Sequence, residues 1–175
     1  CGNTFFASQV ITVNDSIAPV LSATPTDTIV DCIDLVPAIP AVTASDNCGT
    51  VPVIFTEIIS DSTCVNLLTI TRTWTAADDC GNTVSVTQVV SVVDTTPPVI
   101  SAVAADTTVA CIDEVPVAEL VTVTDNCGDI PVVFTEVISD SLCVNQLLIT
   151  RTWTAEDACG NTFFASQVIT VNDSI

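Results

Sequence analysis

The stretch 68–76 reads Leu-Thr-Ile-Thr-Arg-Thr-Trp-Thr-Ala, with large or apolar side chains on even positions and threonine on odd ones. A period of two is the signature of a strand with one face against a core. Val53, Phe55, Glu57 and Ile59 form a second stripe of the same kind. Val, Ile and Thr dominate the chain, while Pro, Gly, Asn and Asp punctuate it at short intervals. Strands are expected near 18–23, 27–31, 41–45, 51–59, 66–76 and 83–93, and helical periodicity has little support.

The pattern then repeats. Cysteines stand at 1, 32, 48, 64, 80, 111, 127, 143 and 159, spaced 31, 16, 16, 16 and again 31, 16, 16, 16. Residues 15–93 laid on 94–172 at the resulting offset of 79 give 47 identities. Residues 1–17 reappear letter for letter at 159–175, whereas 80–96 differ at several places, so the larger unit is a pair of modules. The organisation expected is the last strand of a preceding module at 1–14, modules at 15–93 and 94–172, and the start of another at 173–175. That exact recurrence makes the chain read as a window of a longer array, and with no signal peptide at its start it reads as an internal or processed piece. A tandem duplication within a short protein is the alternative. The fold class expected is all-β: immunoglobulin- or fibronectin-like β-sandwich modules of 79 residues in series, as a filament or stalk.

Charge narrows the possible chemistry. Twenty-one Asp and Glu face two Arg and no Lys or His, a net charge of −19. Such a chain is a poor partner for nucleic acid, whose phosphates are neutralised by Lys and Arg. No apolar run is long enough to insert into a membrane. Without His, Lys or Tyr, no Ser–His or Cys–His pair can form; the chain reads as no enzyme, and no cofactor is required. Adjacent Asp78 and Asp79 are a weak glycosidase signal, because Asp79 becomes Ala158 in the second module.

Nine cysteines point to an oxidising compartment, and 16-residue gaps lack the close ligand pairs of zinc sites. If successive strands alternate in direction, Cys32 and Cys64 lie in loops at one end of a module and Cys48 and Cys80 at the other. The bonds expected are Cys32–Cys64, Cys48–Cys80, Cys111–Cys143 and Cys127–Cys159, each closing about 33 residues and contributing roughly 3–4 kcal/mol. Arg72 falls on the inward face between Ile70 and Trp74, where a lone charge is costly. Glu57 is the expected partner, and Glu136 with Arg151 the second copy of the pair; a ligand-binding arginine is the other reading. Asp15, Asp46 and Asp78, and in the second module Asp94, Asp125 and Asp157, are candidate calcium ligands. The alternative is that these residues form turns and keep the chain solvated.

Asp46-Asn47-Cys48-Gly49, the stretch ITRTWTAADDCGN at 70–82, and the Asp94-Thr95-Thr96-Pro97-Pro98 linker together resemble the hyalin-repeat-like, immunoglobulin-like modules of giant surface proteins in Bacteroidota. They look most like the repeats of gliding-motility adhesins of the SprB type. The resemblance covers nearly the whole chain. In related repeats the two cysteines of the DNCG and DDCGN motifs are often serine, and their joint presence here favours Cys48–Cys80. The resemblance implies an extracellular, cell-surface location by the type 9 secretion route, neighbouring copies in series as partners, and a surface or glycan ligand elsewhere in the protein. It also implies covalent O-glycans at Asp-Ser/Thr sequons, here on Ser16, Thr28, Ser62, Thr95, Thr107 and Ser141. The function this implies is a structural segment of an adhesin stalk. A ligand-gripping module and a non-covalent filament whose residues 1–14 complete a neighbour are the alternatives.

Overall fold

The computed structural model describes residues 1–60, 62–139 and 146–173. The described chain is all-β, with two short 3-10 turns, Ile33–Leu35 and Ile112–Glu114. No helix among the described residues is long and apolar enough to cross a membrane.

The first repeat supplies β1 (Val20–Leu21), β2 (Thr28–Val30), β3 (Ala44–Asp46), β4 (Gly49–Val51), β5 (Val53–Ile59), β6 (Leu67–Ala77) and β7 (Thr83–Val93). The second supplies β8 (Val99–Ile100), β9 (Thr107–Val109), β10 (Val123–Thr124), β11 (Val132–Ile138), β12 (Gln146–Glu156) and β13 (Thr162–Asn172). Each repeat has a four-stranded sheet, ordered β2-β7-β6-β5 and β9-β13-β12-β11, and a smaller one, β1-β3-β4 and β8-β10. In the second repeat the long strands β11, β12 and β13 pair antiparallel, while β2 joins β7 and β9 joins β13 in parallel.

The period of two decides what is buried. Along β6, Ile70, Arg72, Trp74 and Ala76 are buried while the threonines between them are half-buried, and β12 repeats this with Ile149, Arg151, Trp153 and Ala155. In the second repeat the two sheets close on one another: Ile100 of β8 packs with Trp153 and Ala155 of β12, and Val123, Val132 and Ala165 flank them. A second cluster gathers Ile149, Ile169 and Val171 under Val109, Ile112 and Leu147. Both clusters lie on the inward face of the four-stranded sheet, the first under the smaller sheet and the second under the turn at Ile112.

The described chain divides into two compact units that do not follow the sequence repeat. One comprises Cys1–Asp27, Ala38–Ile58 and Thr71–Val89; the other comprises Thr28–Pro37, Ile59–Ile70 and Val90–Ile175. The segments around Cys32 and Cys64 therefore belong with the second repeat. Residues 1–19, expected in part as a strand, form none, and Phe5, Phe6 and Val13 are about nine-tenths exposed.

Candidate functional site: a cross-linked repeat junction

Two disulfides define the site, and they correct the expected pairing. Cys32 is bonded to Cys127 and Cys64 to Cys159, with Cα atoms 5.3 and 5.0 Å apart. Cys32–Cys64 and Cys127–Cys159 are therefore not formed. Cys48–Cys80 is not formed either: both are exposed free thiols. Cys111 is likewise free, and Cys143, its expected partner, lies outside the described residues. The spacing places each cysteine in a loop but does not show that its partner lies in the other repeat. The short Asp94–Pro98 linker instead brings the loops that end the first repeat onto those that begin the second. Both bonds span 95 residues. That is the repeat of 79 plus one cysteine gap of 16.

Asp94 ties this arrangement together. Its backbone N–H donates to the carbonyl of Asn66 at 2.8 Å, its carbonyl accepts from Asn161 Nδ2 at 3.2 Å, and its Oδ1 accepts from Asn126 Nδ2 at 3.3 Å and from Thr96 N at 3.1 Å. Asn66 is buried and its Oδ1 accepts from Ile33 N at 2.8 Å, which fixes the turn beside Cys32. Asn126 and Asn161 stand out in the sequence beside their cysteines; Asn66 was missed. Its only sign is the Cys-Val-Asn triplet at 64–66, repeated at 143–145. At the start of the first repeat the same frame recurs: Asn47 Nδ2 donates to Asp15 Oδ1 at 3.4 Å and Asn82 Nδ2 to the Asp15 carbonyl at 3.3 Å.

The expected calcium sets are divided by the geometry. Asp78 and Asp157 are turned into their own loops: Asp157 Oδ1 accepts from Cys159 N and Asn161 N, both at 2.8 Å, and its Oδ2 from Asn161 Nδ2 at 2.7 Å, with Asp78 arranged in parallel. Gly81 and Gly160, at φ of +89° and +86°, let these turns close. Asp15 with Asp46, and Asp94 with Asp125, do converge, each pair placing carboxylate oxygens within 4.8 Å of one another and of Cys48 or Cys127. Cys127 is spent in its disulfide, leaving the carboxylates as donors there. Asp46 Oδ1, Asp94 Oδ2 and Asp125 Oδ2 are buried without a hydrogen-bond partner. Asp15 is held below the ordinary carboxylate range, chiefly by the Ile17 N–H and then by the Cys48 thiol. Cys48 is held above its usual value by that same hydrogen bond to Asp15, with burial and the surrounding carboxylates adding to it.

Away from the junction, the arginines are paired. Arg72 Nε donates to Glu57 Oε2 at 2.7 Å, and Arg151 Nε to Glu136 Oε2 at 2.8 Å. Arg151 also reaches Gln167 Oε1 at 3.3 Å and the Pro116 carbonyl at 2.7 Å. Gln88 and Gln167 were missed as partners, although both sit on the inward stripes of β7 and β13, where period two would have found them. Phe55 and Phe134 stack tilted on Trp74 and Trp153, with centroids 5.2 Å apart.

Of the expected glycan acceptors, Ser16, Ser62 and Thr95 are exposed, while Thr28 and Thr107 are half-buried in β2 and β9. The Ser62 hydroxyl is engaged in its own loop with the carbonyls of Cys64 and Leu67. Ser141 lies outside the described residues.

A chain of sandwiches with four cysteines per repeat defines a class. Residues 20–92 and 99–171 each match the model of an HYR-like domain with 4 cysteines. The chain belongs to that family, as two copies in tandem. No curated protein matches the sequence. Among solved structures, similarity is found to the crystal structure of Drosophila N-cadherin EC1-4, with 10% identity, 88% of this chain and 49% of that chain covered, and a TM-score of 0.37. It is also found to PcdhgB3 EC1-4, with 13% identity, 87% and 50% covered, and a TM-score of 0.32. The chain thus spans about half the length of each.

Proposed function

We propose that this chain is a load-bearing segment of an extracellular, cell-surface stalk, in which successive HYR-like sandwiches are riveted to one another by disulfides. The observation that carries the reading is the pair of bonds Cys32–Cys127 and Cys64–Cys159, which join one repeat to the next. Bonds of this kind restrain the joint between modules, where a tandem array would otherwise bend or part under tension. Their persistence calls for an oxidising compartment. The net charge of −19 keeps neighbouring stalks apart at moderate salt. The likeness to gliding-motility adhesins of the SprB type makes adhesion or gliding the task, type 9 secretion the route, and Ser16 and Thr95 the acceptors best placed for O-glycans.

Labelling of intact, unpermeabilised cells with antibody to this segment tests the location: signal along surface filaments is expected, and signal confined to the cytosol of permeabilised cells contradicts it. Intact mass of native material tests the glycans, the bare polypeptide mass arguing against them.

A second reading has its own observation. Residues 1–14 carry the sequence of 159–172, the segment that forms β13, yet are exposed and unpaired here. They could complete the sheet of a neighbouring subunit in a non-covalent filament. Denaturing gels under reducing conditions separate the two, since subunits near 18.2 kDa belong only to the second.

A further inference from the structure

The first repeat presents an open cleft of about 260 Å³ lined by Asp15, Asp46, Cys48, Asp78 and Cys80. Shifted by 79, these positions are Asp94, Asp125, Cys127, Asp157 and Cys159, the residues that receive the loops of Cys32 and Cys64. There the incoming segment seats closely: Cys32 Sγ lies 3.3 Å from the Asn126 carbonyl, and Cys127 Sγ 3.5 Å from the Asp31 carbonyl. The two faces share their Asp, Asn and Cys framework, and the linker hydrogen bonds from Asn47 and Asn82 to Asp15 are already in place. Cys48 and Cys80 remain thiols where Cys127 and Cys159 are bonded, and Asp79 of the open cleft is replaced by Ala158.

We propose that this cleft is a socket for the trailing end of another repeat of this kind, which enters with thiols at the positions of Cys32 and Cys64 and is fixed by bonds to Cys48 and Cys80. Cys111, free and standing 79 residues after Cys32, is the matching plug thiol of the second repeat. Each bond joins two thiols with loss of two protons and two electrons. A disulfide oxidant takes these up and is itself reduced to two thiols. The inference rests on the cross-linked stalk proposed above.

Native material whose free thiols are alkylated before extraction, cut at acidic residues without reduction, gives the test by mass spectrometry. The expected result is a Cys48 peptide, recognised by Gly49-Thr50-Val51, joined to a peptide carrying the Cys-Ile-Asp motif of 32–34 and 111–113, with the Cys80 peptide joined to a Cys-Val-Asn peptide. Cys48 bonded to Cys80, or both alkylated, overturns the socket. If Cys32–Cys127 is present in that sample, the socket alone fails; if it too is absent, the cross-linked stalk fails with it.

A separate observation carries a metal site. Asp94 is 5% exposed, its Oδ2 has no hydrogen-bond partner, and Asp125 Oδ2 is buried in the same condition. Asp125 Oδ1 is occupied by the Cys127 N–H at 2.9 Å. Both arginines are paired with glutamates elsewhere in the fold. Buried carboxylate oxygens left unpaired beside one another are costly. We infer that Asp94 and Asp125 hold a hard divalent cation of the calcium type, with water completing its oxygen shell.

Calcium chloride titrated into the chelator-treated chain in a calorimeter reads this directly. Saturable binding is expected, with one site lost in Asp94→Asn and in Asp125→Asn while circular dichroism stays unchanged. No saturable heat, or titrations identical in the variants, overturns it. Asp157→Asn serves as the control, since that carboxylate is committed to its turn.

Discussion

Cys64 and Cys159 are separated by 95 residues of sequence, yet their Cα atoms lie 5.0 Å apart, and the bond between them joins the first repeat to the second. Cys32 and Cys127 do the same in the neighbouring loops.

The contribution of one such bond follows from the loop that it closes. Closing about 95 residues in the unfolded chain is worth roughly 4–5 kcal/mol by the loop-entropy model, although the second bond adds less once the first is formed. Replacing Cys32 and Cys127 together by serine is expected to cost about 3–4 kcal/mol in denaturant unfolding of the oxidised chain. Under full reduction, variant and parent converge.

Gly160 adopts φ of +86° in the turn that presents Cys159. A side chain there is strained in a left-handed backbone, although a Cβ would meet nothing within 4 Å. Gly160→Ala is expected to cost about 1–2 kcal/mol by thermal unfolding, all of it backbone strain. Gly2→Ala, where φ is not restricted in this way, changes nothing.

Glu136 holds the buried Arg151 from a partly exposed strand. Among the described residues, its removal leaves a guanidinium supported by Gln167 and the Pro116 carbonyl. Glu136→Ala is expected to lower stability by about 2 kcal/mol in urea titration. A change under about 0.5 kcal/mol would mean that the pair is no more than a surface ion pair.

The Cys48 thiol gives a pH readout. Its hydrogen bond to the Asp15 carboxylate favours the protonated form and raises the value above 9.0, so the reactive thiolate emerges at higher pH than in an ordinary cysteine. Asp15→Asn removes the charge, lowers the thiol value, and should speed alkylation of Cys48 near pH 8. For Asp15 the sign is opposite. A carboxyl lowered in the folded state stabilises the fold above its ordinary 3.8, and that contribution is lost as pH falls through the lowered value.

The strands were legible because alternation leaves a mark at every second residue: Ile70, Arg72, Trp74 and Ala76 announce both the sheet and the face that it buries. The Arg72–Glu57 pair followed from the same alternation. Short strands such as β4 carry too few residues to show a period, and the turns at Ile33 and Ile112 have no helical repeat to betray them. The cysteine partners were illegible for a different reason. Spacing places each cysteine in a loop, but choosing between Cys64 and Cys127 as the partner of Cys32 requires knowing how short the Asp94–Pro98 linker holds the repeats. Asp157 and Asp94 look alike in sequence; one caps its own turn with Asn161, four residues on, and the other is a buried hub whose partners Asn66, Asn126 and Asn161 come from separate loops.

Peptide mapping of the oxidised chain without reduction is the most direct measurement. Peptides linking Cys32 to Cys127 and Cys64 to Cys159 are the predicted result, and peptides linking Cys32 to Cys64 and Cys127 to Cys159 would contradict a stalk whose repeats are bonded to one another.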